Sequence, residues 1–185
     1  MKLYMKNKGI TMISLVLTVI ILLILAGISI GAGSNIITKS KLENIKTDMM
    51  LIKVKGKEYV ENANYSLGTG FDKIKDENEK NTRIENAKSK LKGTEIEENN
   101  GLDSIIGINS DEFQEEKQKL TYYYKLSTKD LEDIGISNVK SDEKNGEYII
   151  KYDIKNVEIE IYNTQGFKNE NKNYYSLNEL ENLEV

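Results

Sequence analysis

The 185-residue chain contains no cysteine, no histidine, no proline and no tryptophan. Without cysteine there can be no disulfide framework and no thiolate nucleophile, and without histidine as well there is no zinc site of the Cys/His type. The missing histidine also excludes every Ser-His-Asp arrangement. An enzyme built on this sequence would have to work with Asp, Glu, Lys, Ser or Tyr, and no Asp/Glu constellation stands out. The sequence is therefore read as a non-enzyme with no cofactor and no metal. Charge narrows the choice further. The 26 basic side chains fall to 23 without Lys2, Lys6 and Lys8, against 30 acidic ones. An acidic remainder repels phosphate backbones, so no nucleic-acid partner is expected.

Charge is missing from one long stretch. After Lys8 none appears until Lys39, and from Ile10 to Ile30 the only polar side chains are Thr11, Ser14, Thr18 and Ser29. As a helix this run would be about 31 Å long, matching the ~30 Å hydrocarbon core of a bilayer. A cleaved secretory signal has a shorter apolar region, ~7–15 residues, ending in an A-x-A-like site. The leading lysines place the N-terminus in the cytoplasm and the bulk of the chain outside, as a single-pass membrane protein.

The junction "KNKG" followed by "ITMISLVLTVIILLILAGI" resembles the leader and N-terminal helix of type IV pilins and type II secretion pseudopilins. The resemblance implies that a prepilin peptidase cuts between Gly9 and Ile10 and that Ile10 is then methylated. It also implies partners among other pilin-like subunits, and a filament of the cell surface or of secretion. One departure is plain: the fifth residue after the cut, glutamate in major pilins, is Ser14 here. Glycine at the lysine/apolar boundary also suits a membrane peptidase physically, because a residue without a side chain lets the backbone enter a narrow cleft. The alternative is that Gly9 ends a plain tail before an uncleaved anchor.

Within the run, "GISIG" formally matches a nucleophile elbow, but its context is membrane-length and no histidine exists to activate Ser29. Gly27 and Gly31 also form a G-x-x-x-G pair on one helix face, an assembly contact where a second helix can approach. Alternatively they loosen the helix where it leaves the membrane, each costing ~1 kcal/mol relative to alanine.

Past the membrane the helical period continues through Leu42, Ile45, Met49, Ile52, Gly56, Tyr59 and Ala63. This predicts a single rod running on from the anchor and ending between Tyr65 and Gly70. From Phe71 to Leu120 the sequence is polar. Thr82 and Glu85 mark a helix start in "TRIENAKSKLKG", with Ile84, Ala87 and Leu91 on one face and Gly93 as its stop. "NNGLDSIIGINS" reads as loop, and "DEFQEEKQKL" as a helix capped by Ser110 or Asp111. "TYYYKL" reads as strand, and "STKDLEDIGI" as a helix capped by Ser127 with Asp130 three residues on.

"NVKSDEKNGEYIIKYDIKNVEIEIYN" then gives three extended runs separated by turns at Asn145-Gly146 and Lys155-Asn156. That is an antiparallel meander with one apolar face, which the long helix is expected to cover. "YYKLSTKDLEDI" is echoed by "YYSLNELENL", each read as a strand end that starts a helical turn. Tyr122, Tyr123, Tyr124, Tyr174 and Tyr175 are read as partly sheet core, with a binding surface as the alternative.

The expected fold is α+β, with a long N-terminal helix packed on a small antiparallel sheet, the arrangement the resemblance also implies. Its parts are a leader at 1–9, a transmembrane and assembly helix at 10–34, an amphipathic continuation at 35–69 and an extracytoplasmic head at 70–185. Function is expected to be that of a pilin-like or pseudopilin-like structural subunit, with a minor subunit as one form of that role. The alternative is a single-pass anchored binding or adhesin module that never assembles.

Overall fold

The computed structural model describes residues 18–20, 36–99 and 101–183. The chain divides into two units, residues 1–37 and 38–185. Of the first, residues 18–20 and 36–37 are helical. Among the described residues no helix is long and apolar enough to cross a membrane; most of the Ile10–Ile30 run lies outside them.

The long helix is present as α1, Ile36–Leu67. Its stripe is the one the spacing predicts: Leu42, Met49, Ile52 and Ala63 are buried with Val60 and Leu67, while Ile45 and Tyr59 pack partly against them. Each fully buried aliphatic side chain contributes about 1.5–3 kcal/mol, so packing rather than propensity holds α1 in place. It stops at Gly68 and Gly70, both left-handed with φ of 76° and 75°, the conformation that glycine adopts without strain. The guanidinium of Arg83 donates to the Leu67 carbonyl at 3.0 Å, satisfying an acceptor that the helix end leaves open.

The sheet is an antiparallel meander of five strands in the order β1-β2-β3-β4-β5: Thr94–Glu95, Thr121–Leu126, Tyr148–Asp153, Glu158–Asn169 and Lys172–Ser176. Short helices fill the connections: α2, Glu77–Lys88; α3, Asp103–Ile106; α4, Ser110–Gln118; α5, Thr128–Asp133; and α6, Leu177–Glu181. The two echoed segments are indeed strand-to-helix junctions. Ser127 with Asp130, and Ser176 with Glu179, form reciprocal capping boxes at the ends of β2 and β5.

Several expectations need correction. α2 begins at Glu77, five residues before Thr82, because Asp76 accepts from the Asn78 and Glu79 amides; Thr82 lies mid-helix and donates to the Asn78 carbonyl at 2.8 Å. Gly93 does not stop α2, which ends at Lys88. It is required instead at the entry to β1, where a Cβ would stand 2.7 Å from the Lys125 carbonyl oxygen. α4 is capped by Asn109, which accepts from Asp111 and Glu112 while Glu112 returns a carboxylate to its amide. The predicted loop before it contains α3. The segment before Asn145-Gly146 is not a strand, since Asp142 gathers the Lys144 and Asn145 amides and makes only a single bridge to Gly146.

The sheet also has two buried faces rather than one. Tyr122, Tyr124, Ile150, Tyr152, Ile159 and Ile161 join α1 in the main core. Tyr123, Ile149 and Tyr162 form a second core on the other face, closed by Ile106 of α3 and Phe113 of α4. The rings of Phe113 and Tyr123 stack with centroids 5.0 Å apart.

Candidate functional site

The residues that the sequence singles out for processing and assembly, Gly9, Ile10, Ser14, Gly27 and Gly31, lie outside the described residues. Next to them, residues 18–20 are helical and Val19 is 48% exposed.

The tyrosines separate clearly. Tyr122, Tyr123 and Tyr124 are all buried, a run that only works because both faces of β2 are covered. Tyr174 and Tyr175 are half-buried on β5, at the sheet edge. Burial pushes the hydroxyls of Tyr124, Tyr148, Tyr152 and Tyr162 well above the ordinary tyrosine value of 10.0. They stay neutral across the physiological range; Tyr148 donates to Asp48 and Tyr152 to the Lys92 carbonyl.

A polar cluster sits on the second face. Tyr123 donates to Glu116 Oε2 at 2.5 Å, and Lys151 pairs with Glu116 Oε1 at 2.6 Å. The Lys151 ammonium also lies 5.5 Å from the Tyr123 ring centroid. Burial first, and the Glu116 bond second, hold the Tyr123 hydroxyl far above its ordinary value. A neutral phenol, a carboxylate and an ammonium that satisfy one another leave no free base or nucleophile. Their effect is to fasten α4 across β2 and β3.

Several grooves among the described residues are open to solvent, and two of them border residues of interest. One, about 760 Å³, lies at the end of α1 and is lined by Asn64, Tyr65, Phe71, Leu120 and Lys155; Lys155 pairs there with Asp72 at 2.9 Å. Tyr65 is 87% exposed. The other, about 440 Å³, is bordered by Glu95, Glu97, Glu98 and Glu147. Its carboxylates do not converge: Glu147 is taken by Lys125 at 2.5 Å, and Glu95 by Lys88 at 2.9 Å and Lys117 at 3.6 Å. Among the described residues no group of three or more acidic side chains is placed to hold a metal ion.

Sequence reasoning missed Asn163. It is fully buried, and its Oδ1 accepts from the Gln165 and Gly166 amides at 3.0 and 3.1 Å. This forms the bulge where the β4–β5 register shifts between Tyr162 and Phe167. The neighbouring Gly166, at φ 63°, is the signal that could have shown it.

Comparison with protein-family models, with curated proteins and with solved structures finds no match.

Proposed function

We propose that the chain is a pilin-like or pseudopilin-like structural subunit, cut between Gly9 and Ile10 by a prepilin peptidase and anchored by the Ile10–Ile30 run with its C-terminal region outside the membrane. The observation that carries the reading is the junction itself, a basic leader ending in glycine directly before a membrane-length apolar run. The α+β fold is compatible with it: a 32-residue helix gives its apolar stripe to an antiparallel sheet within the same unit. Ser14, in place of the glutamate of major pilins, favours a minor or initiating subunit within that class. The role is structural, and its partners are the peptidase, the membrane and other subunits.

Mass spectrometry of membrane-extracted protein tests it. The expected N-terminus is Ile10, carrying a methyl group. An intact Met1 in the mature protein would overturn the processed-subunit reading in favour of an uncleaved anchored module, and Gly9→Leu is expected to leave the precursor in the membrane.

A further inference from the structure

The β4–β5 hairpin lies level with the first turns of α1. Three contacts set the direction. Asn64 donates to the Ile154 carbonyl at 2.9 Å, Gly56 faces Ile150 and Ile159, and the Tyr148 hydroxyl donates to Asp48 at 3.3 Å. Following α1 back towards its start therefore moves along β4 from Ile159 to Asn163, the partner of Tyr148. Beyond Asn163, β4 runs on to Asn169, about 20 Å at ~3.3 Å per residue. From Asp48 back to Ile36, α1 covers about 18 Å at ~1.5 Å per residue.

That end of the unit is rich in lysine. Lys39 and Lys41 are exposed on the first described turns of α1, and Lys168 and Lys172 are exposed on the hairpin. Glu43 and Glu170 are the acidic residues of the same two segments and Glu179 reaches the hairpin from α6, so four lysines face three carboxylates at this end of a chain of net charge −4. The Lys172 ammonium stands 4.6 Å from the Tyr174 ring centroid and 3.7 Å from Glu179. Lysine beside tyrosine is the pairing found where proteins meet lipid headgroups.

Chain length brings the two together. Five residues, six chain steps, separate Ile30, the last of the apolar run, from Ile36. Fully extended they reach no more than about 20 Å, so an anchored chain holds the start of α1 near the headgroup layer.

Resting on the anchor reading above, we propose that Lys39, Lys41, Lys168 and Lys172 form a docking surface for the anionic lipid headgroups of the membrane in which the chain is anchored. Each lysine near an anionic surface contributes about 1 kcal/mol, an effect that salt screens within a Debye length. Docking would restrict the tilt of the unit before assembly.

Because the chain has no cysteine, Asn171→Cys places a single nitroxide at the hairpin tip. The full chain is reconstituted in vesicles of phosphatidylcholine, with or without one quarter phosphatidylglycerol, and collision of the label with an aqueous relaxant is measured. The expected result is several-fold less collision in the anionic vesicles, abolished by high salt and by Lys168→Glu with Lys172→Glu. Lys39→Glu with Lys41→Glu, which leaves the hairpin untouched, is expected to weaken the effect as well. A chain that floats with both vesicles but shows equal collision in each overturns the docking surface alone. A chain that floats with neither overturns the anchor and the docking together.

Discussion

A methyl group built on Gly56 would lie 2.5 Å from Ile150 Cδ1 and 3.2 Å from Ile159 Cδ1. The missing side chain is what allows α1 to rest directly on β3 and β4. Ile150 is 1% exposed and has little room to yield. Gly56→Ala gains up to ~1 kcal/mol of helix propensity and loses more to the clash, for a net destabilisation of about 1 kcal/mol. Gly56→Leu is expected to cost about 3 kcal/mol. Ile150→Val removes the offending Cδ1, so Gly56→Ala with Ile150→Val should be more stable than the sum of the single changes. A double-mutant cycle in urea checks this; strict additivity would mean that the helix rides further from the sheet.

Asp48 makes stability depend on pH in a direction opposite to the usual carboxylate. Burial pushes its carboxyl up from 3.8, while the Tyr148 hydrogen bond pulls the other way. The folded state therefore binds this proton more tightly than the unfolded chain. Its contribution is full below the unfolded value and is lost as pH rises through the folded one. Above that window the charged carboxylate is a cost. Asp48→Asn is expected to raise Tm at pH 7, with the gain shrinking as pH falls towards 3.8. A gain that instead grows on acidification would show that Asp48 is stabilised as the anion.

Much of this architecture can be read from spacing. Leu42, Ile45, Met49 and Ile52 repeat at helical intervals because one face of α1 is buried along its length, and Ser127-x-x-Asp130 directly precedes an apolar position. Other features were hidden by competition or distance. In "DENEKNTRIE" several side chains can cap a helix, and Asp76 wins over Thr82 because starting there adds six residues to α2. The second core could not be inferred from β3, where Ile149 alternates with Lys151 and Asp153 on what looks like a solvent face. Its cover, Phe113, comes from a helix distant in sequence. The continuation of β4 past Asn163 was obscured because the bulge breaks the alternation of faces. Gly9, Ile10, Ser14, Gly27 and Gly31 are legible only as sequence.

That bulge depends on a second close approach. At Gly146, φ is 84° and a Cβ would stand 2.2 Å from Asn163 Oδ1. Gly146→Ala meets both backbone strain and a clash with a buried acceptor, and is expected to cost at least 2 kcal/mol. Asn163→Ala leaves the Gln165 and Gly166 amides without their acceptor, at about 1–3 kcal/mol. Measured by urea unfolding, the two should be strongly non-additive, since removing Asn163 removes the clash. Hydrogen exchange should show the Asn163→Ala loss concentrated in the β4–β5 hairpin; uniform loss across the sheet would refute a local role for the bulge.

Ser14 bears on where the subunit sits in the proposed filament. In the pilins that the junction resembles, glutamate at the fifth position after the cut pairs with the charged N-terminus of a neighbour, which offsets the several kcal/mol cost of a charge in hydrocarbon. Serine cannot form that ion pair, but its hydroxyl can bond back to the carbonyl one turn earlier at little cost. The neighbour's amine then needs another partner, or this subunit takes a position where no such neighbour is present, such as a tip. Wild-type protein is therefore expected at low copy in sheared surface filaments. Ser14→Glu should leave that copy number unchanged if the subunit occupies the tip, because no neighbour's amine is there to receive the new carboxylate. A large rise in incorporation would place the subunit inside the filament shaft, where the pair can form. Abundant wild-type filaments built mainly of this chain would refute the minor-subunit reading. In that case lateral packing would have to rely on small-residue contacts such as Gly27 and Gly31, and Gly27→Leu would be expected to abolish assembly while leaving cleavage at Gly9 intact.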